Sequence, residues 1–163
     1  MKHLFYSGLM LLFTIANALT VGAQEKSVQL NEPDYNKPKL FNTLPATLKV
    51  TNGELETLIA PAKSAARGKA TEDITKMRAK VAGLSSQYIA ANSRIENEYN
   101  SVVMVLNDYP GATLTLTSVA KEDGTLVYTG RIISFKHGDA FVLELVNGQY
   151  QWTKKGFYDL IAE

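Results

Sequence analysis

Cysteine is absent from the chain. Its absence excludes disulfides, thiol nucleophiles and thiolate metal sites. Histidine is nearly absent, at two in 163 residues, His3 and His137. No His-x-x-x-His pair exists, so a multi-histidine metal centre is excluded as well. Neither sign of charge dominates, with 17 Lys+Arg against 16 Asp+Glu. A nucleic-acid binder displaces counterions with a basic excess, and this chain has none. No Gly-rich phosphate loop is present, and Glu122-Asp123-Gly124 is too short to supply the oxygens of a calcium loop. Past Ala23 no apolar run approaches the ~20 residues of a membrane-spanning helix.

What is present begins at the first residues. Lys2 supplies a positive start, Gly8–Ala16 is apolar, and small residues follow to Ala23. That is the pattern of a secretory signal peptide over residues 1–23. Ala16-Asn17-Ala18 and Val21-Gly22-Ala23 both satisfy the small-x-small cleavage rule. Cleavage after Ala23 is favoured, with Ala18 the alternative, because a cut at Ala18 leaves almost no polar spacer. The apolar run is too short to be a membrane anchor. The expected location is therefore the periplasm or the extracellular space. Removing 23 of 163 residues leaves 140, the size of one domain. Loss of Lys2 leaves 16 charges of each sign.

Residues 24–42 are polar and carry Pro33 and Pro38. They read as an extended arm or linker, more a disordered terminus than a docking segment. A single β-rich domain is expected over residues 43–163. Thr51-Asn52-Gly53-Glu54 fits a capping box, with Leu55, Leu58 and Ile59 behind it at helical spacing. The reading is a short helix over residues 52–60, stopped by Pro61 and followed by a loop over 61–70. A rival reading makes Asn52-Gly53 a hairpin turn.

Residues 71–99 read in two ways. Ile74, Met77, Val81, Leu84, Tyr88, Ala91 and Ile95 alternate 3- and 4-residue spacings, which suggests an amphipathic helix. Gly83, Ser85, Ser86, Asn92 and Ser93 oppose it. The other reading places strands near 69–75 and 79–87, then a polar loop through Asn92 to Asn100.

From residue 100 the pattern is that of a five-strand antiparallel meander. Val102–Leu106 is continuously apolar, as in a strand buried on both faces. Thr113–Thr117 alternates. Leu126–Phe135 is apolar with a phase slip beside Gly130, which suggests a bulge. Phe141, Leu143 and Leu145 share one face, as do Tyr150 and Trp152. The turns fall at Asn107–Gly111, Glu122–Gly124, His137–Asp139 and Asn147-Gly148, the last a strong hairpin signal. Phe157, Leu160 and Ile161 suggest a docked C-terminal segment.

Tyr128-Thr129-Gly130-Arg131-Ile132-Ile133-Ser134-Phe135-Lys136-His137-Gly138-Asp139, then Gly148-Gln149-Tyr150 and Lys154-Lys155-Gly156-Phe157-Tyr158-Asp159-Leu160, form a distinctive series. On these residues the chain resembles a group of small, uncharacterised exported proteins of Gram-negative bacteria. The resemblance runs from about residue 100 to the end. It implies strands in the middle region, with a glycine near the place of Gly83, and it implies no activity.

Few residues offer chemistry. Ser134, His137 and Asp139 are the residue types of a nucleophilic triad, but closeness in sequence is no measure of geometry, and a turn explains them. Glu96 and Glu98 would share a face on a strand, as paired carboxylates do in acid–base catalysis, or they belong to a solvated loop. Arg131 on a strand forks onto an anion or faces solvent. Lys136, Lys154 and Lys155 would join it if the strands pair as read. The row Thr113, Thr115, Thr117 is an exposed strand face. Tyr128, Phe141, Tyr150 and Trp152 line a pocket or form the core, the core coming first.

The expectation is a mainly β protein, an antiparallel meander forming a small barrel or sandwich with one short helix near 52–60. A helix over 71–98 packed on the sheet is the alternative. The function expected is an exported, non-enzymatic binding or envelope-associated module without cofactor or metal. Its candidate ligand residues are Arg131, Lys136, His137, Tyr150 and Trp152, and an envelope protein or a glycan is the partner class. The alternatives are a small hydrolase using His137 or the Glu96/Glu98 pair, and a self-assembling structural component.

Overall fold

Eight antiparallel strands follow one another through the computed structural model, which describes residues 34–66, 73–94 and 99–160. The expected signal peptide with Ala18 and Ala23, the arm to residue 33, and Glu96 and Glu98 lie outside the described residues. The elements are β1 (Thr47–Lys49), α1 (Asn52–Ala66), a 3-10 turn (Ile74–Lys76), β2 (Arg78–Val81), β3 (Leu84–Arg94), β4 (Tyr99–Leu106), β5 (Thr113–Ala120), β6 (Leu126–Ile133), β7 (Asp139–Val146), β8 (Gln149–Gly156) and a second 3-10 turn (Tyr158–Leu160). The sheet order is β1-β8-β7-β6-β5-β4-β3-β2, a meander in which β1 returns to cover β8. The sheet curls into a half-barrel. Its two edges are short, and β2 carries exposed Arg78 and Lys80, a charge pattern that discourages strand addition.

The capping box forms. The Thr51 amide donates to Glu54 Oε2 at 2.8 Å, and the Glu54 amide donates to Thr51 Oγ1 at 3.2 Å. The helix does not stop at Pro61 but continues to Ala66. Pro61 and Ala62 are buried beside Leu55, Leu58 and Ile59, so packing of the longer face outweighs the lost hydrogen bond. Helix α1 packs on β3, β4 and β5, where the Tyr88 hydroxyl donates to Leu58 O at 2.9 Å.

The middle region carries strands at Arg78–Val81 and Leu84–Arg94 and no α-helix among its described residues. The expected strand bounds shift: Ile74–Lys76, at the end of the expected 69–75 strand, is a 3-10 turn, and the Ala82-Gly83 turn divides the expected 79–87 strand. Ala82 (φ 47°) and Gly83 (φ 87°) form the tight turn between β2 and β3, with positive φ at both positions as a type I′ turn requires. The helix-like spacing has a physical origin. Four-residue steps such as Val81 from Met77 keep one face of a strand. The three-residue steps cross an irregularity each time: the 3-10 turn at Ile74–Met77, the Ala82-Gly83 turn, and the bulge between Tyr88 and Ala90. Strand β3 runs to Arg94, past the expected start of a loop at Asn92.

Strand β4 is buried on one face rather than two. Val102, Met104 and Leu106 enter the core, while Val103 and Val105 are half-buried opposite. No bulge occurs at Gly130 on the β5 side, where the register runs unbroken from Thr113↔Ile133 to Ala120↔Leu126. Leu126, Tyr128, Ile132 and Ser134 share the core face, and Phe135 points away, 73% exposed.

The described part of the arm is docked. Phe41 is fully buried, with its ring centroid 5.3 Å from that of Phe141. The buried Asp139 carboxylate accepts from the Leu40 amide at 2.6 Å and the Phe41 amide at 2.9 Å. Lys154 Nζ donates to Phe41 O and Leu44 O at 2.7 and 2.6 Å. Charged partners thus satisfy the backbone of an irregular segment that no strand pairs with.

Two outcomes follow. Asp139→Ala strands two amides and costs about 3 kcal/mol in chemical denaturation; an unchanged midpoint would show that the arm is not anchored there. Burial pushes the Tyr88 phenol up from its ordinary value near 10 to about 12. The unfolded chain therefore loses that proton first, and stability falls as pH rises from 10 towards 12, being fully present below 10. Tyr88→Phe removes this component, so its thermal melts decline less steeply over that range than those of the parent chain.

Candidate functional site

Strands β5 and β6 share eight register pairs, and so do β7 and β8, but β6 and β7 share only Arg131↔Val142, Ile132↔Phe141 and Ile133↔Ala140. The next pair in that register, Gly130 with Leu143, does not form. Two side chains from β8 occupy the seam on its core side. Trp152, opposite Leu143, is fully buried and reaches across β7 to Gly130. A Cβ at position 130 would lie 2.9 Å from Trp152 Cη2 and 3.0 Å from Thr115 O, so only glycine fits. Tyr150, opposite Leu145, reaches across in the same way, and its hydroxyl accepts from the Tyr128 amide at 3.0 Å. The Tyr128 and Tyr150 rings meet edge to face at 5.5 Å.

On the opposite face, over the β5–β6 ladder and beside the end of the β6–β7 pairing, lies a cleft of about 330 Å³. It is lined by Thr115 and Thr117 of β5, Thr129, Gly130 and Arg131 of β6, Val142 of β7, and Leu160 of the terminal turn. The Gly156 amide donates to Asp159 Oδ2 at 3.0 Å, and the Phe157 amide to Gly138 O at 3.0 Å, which fixes the turn carrying Leu160. Thr115 stands directly opposite Arg131, and Thr117 opposite Thr129. Among the described residues the lining holds one cation, Arg131, and no carboxylate. Among the described residues the ion pairs are Lys76–Asp73 and Lys155–Glu144, so Arg131 has no acidic partner. Glu144, on the cleft's face of β7, is taken by Lys155 at 2.9 Å; hydrogen bonds from Lys155 and Thr153 hold its carboxyl below the usual range.

The expected site residues divide around this seam. Arg131 lines the cleft, Trp152 lies beneath its floor, and Tyr150 closes the seam on the core side. Lys136 and His137 sit in the β6–β7 turn, outside the cleft lining. His137 Nδ1 is 2.8 Å from Ser134 Oγ, but Ser134 is 1% exposed, and both oxygens of Asp139 accept from the arm. The three residues therefore brace the turn and do not form a triad. The wider basic cluster is not assembled: Lys154 faces the core and holds the arm, while Lys155 pairs with Glu144. Asp123 is a turn residue that accepts from the Thr125 amide at 2.8 Å; hydrogen bonds from Thr125 keep its carboxyl low. Among the described residues no group of three or more His, Asp or Glu is placed to hold a metal.

Sequence reasoning missed Thr129, Val142 and Leu160, and it read Gly130 as a bulge. The available signal was Gly130 inside a strand pattern, with two large aromatics two residues apart on the strand two further along the meander; a strand glycine marks a close approach of another group to bare backbone. A second cleft of about 780 Å³ lies between Lys49–Glu54 and the β7–β8 hairpin. The amides at that end of α1 are already served by its own capping box. Comparison with known proteins gives no match: no family model, curated protein or solved structure is significantly similar to the chain.

Two glycine substitutions separate packing from propensity. Gly130→Ala forces the indole aside and costs about 1–3 kcal/mol, with a change in Trp152 emission. Gly53→Ala, in the first turn of α1 with nothing within 4 Å, is neutral or stabilises by up to about 1 kcal/mol. Equal effects in denaturation would show that Gly130 is not held by the ring.

Proposed function

We propose that the chain is an exported, non-enzymatic binding module, periplasmic or released, whose ligand sits in the cleft beside Arg131. Export rests on the signal-peptide pattern of residues 1–23 and on the resemblance to small exported proteins of Gram-negative bacteria. Binding rests on one observation: a guanidinium with no acidic partner among the described residues stands among three threonine hydroxyls beside the point where two strands part. Pockets that bind small molecules combine apolar walls with a few placed polar groups, and Val142 and Leu160 supply the walls here. The same lining argues for binding over turnover. Its described residues include neither a carboxylate nor an imidazole to move a proton. The hydrolase reading through His137 loses support from the burial of Ser134 and the engagement of Asp139.

The single tryptophan is the reporter. A panel of small anions, neutral sugars and short peptides is screened against the protein by Trp152 fluorescence and amide chemical shifts. A ligand is expected to move the amides of Thr115, Thr117, Thr129 and Arg131. Arg131→Ala weakens it at least about tenfold, and His137→Ala leaves it unchanged. Shifts centred on Ser134 and His137, with turnover of an ester or amide lost in His137→Ala, would replace this reading by the hydrolase.

A further inference from the structure

Thr115, Thr117, Thr129 and Arg131 stand at the corners of a rectangle. Thr115 faces Arg131 across the strands and Thr117 faces Thr129. Cross-strand neighbours are ~5 Å apart and residues i and i+2 of one strand ~7 Å apart. Three corners carry a hydroxyl, which is one donor and two acceptors, and the fourth carries a planar cationic fork. Threonine is stiff at χ1, so the hydroxyls are held in place before any ligand arrives. The Thr117 hydroxyl donates to Ser101 Oγ at 3.3 Å, which leaves its oxygen free to accept.

Resting on the binding reading above, we propose that the cleft takes a polyhydroxylated carboxylate the size of one sugar ring, such as a uronic acid. The ~5 by ~7 Å rectangle matches the spread of substituents around a six-membered ring. The carboxylate lies on Arg131, because a carboxylate matches the guanidinium fork with two parallel hydrogen bonds. Ring hydroxyls meet Thr115, Thr117 and Thr129, and ring C–H groups meet Val142 and Leu160. One guanidinium, unaided by a lysine among the described lining residues, balances a single negative charge, which favours a carboxylate over a phosphate dianion. A volume of about 330 Å³ is at the small end for ligand pockets, and it suits one ring better than a long chain.

The test titrates the protein with D-glucuronate, D-glucose, cyclohexanecarboxylate and glucose 6-phosphate, followed by amide shifts and calorimetry. Glucuronate is expected to shift the cleft amides saturably. Glucose lacks the charge and cyclohexanecarboxylate the hydroxyls, and each binds at least about tenfold more weakly. Arg131→Lys also weakens glucuronate about tenfold or more, and Thr117→Val weakens it while both variants keep the parent melting temperature. Glucose binding as tightly as glucuronate, tighter binding of glucose 6-phosphate, or no cleft shift with glucuronate each overturns the ligand class. The cleft itself falls only if the wider panel also leaves its amides unmoved.

Discussion

The indole of Trp152 rests on the bare backbone of Gly130, and the rest of the sheet is arranged around that contact. Trp152 belongs to β8 and Gly130 to β6, so the ring spans the strand between them. A ring seated there occupies the core side of the position where the β6–β7 ladder would continue. Tyr150 repeats the reach two residues away and gives the Tyr128 amide the acceptor that β7 no longer supplies. A buried amide left bare would cost about 1–3 kcal/mol, so the phenol oxygen is what lets the strands stay apart. The arrangement has a cost that the structure still shows. Among the described residues the buried side-chain atoms without a partner are Ser118 Oγ, Tyr128 Oη and Trp152 Nε1, and Tyr128 and Trp152 flank the seam.

The other end of the seam is held shut. The three surviving β6–β7 pairs lie next to the turn where Asp139 takes two amides of the arm and Ser134 meets His137. Phe41 packs on Phe141 inside that end, and Lys154 ties the arm to β8. The strands are therefore clamped on one side and wedged on the other, and the cleft opens between the two. Arg131, at the last surviving pair, stands where the clamp gives way to the wedge. The polar residues of the turn, which suggest catalysis when read as letters, serve to fix the position of that boundary.

Much of the fold was legible, because turns and alternation are local. The Asn147-Gly148 hairpin, the capping box and the alternating threonines all specify structure through their own few residues. The middle region misled because odd spacings produced by two turns and a bulge imitate helical spacing. Pro61 misled because a local cost was outweighed by burial of the helix face. The cleft was half legible. Arg131 and the threonine row were visible on the strands, but the seam beside them depends on a contact between Gly130 and Trp152, 22 residues and one intervening strand away. No local pattern records that β6 and β7 part after Arg131. The expected convergence with Lys136 and His137 failed for the same reason, since the turn bearing them lies beyond the closed end of the seam.

Amide hydrogen exchange at Tyr128 tests the seam most directly. In the native chain this amide is bonded to a side-chain oxygen instead of a neighbouring strand, and it is expected to exchange slowly. In Tyr150→Phe the ring remains and the acceptor is gone, so exchange at Tyr128 is expected to quicken at least about tenfold while the β5–β6 and β7–β8 amides keep their protection. Unchanged protection at Tyr128 in Tyr150→Phe would mean that β7 supplies the acceptor, that the ladder is continuous, and that the cleft beside Arg131 has another origin.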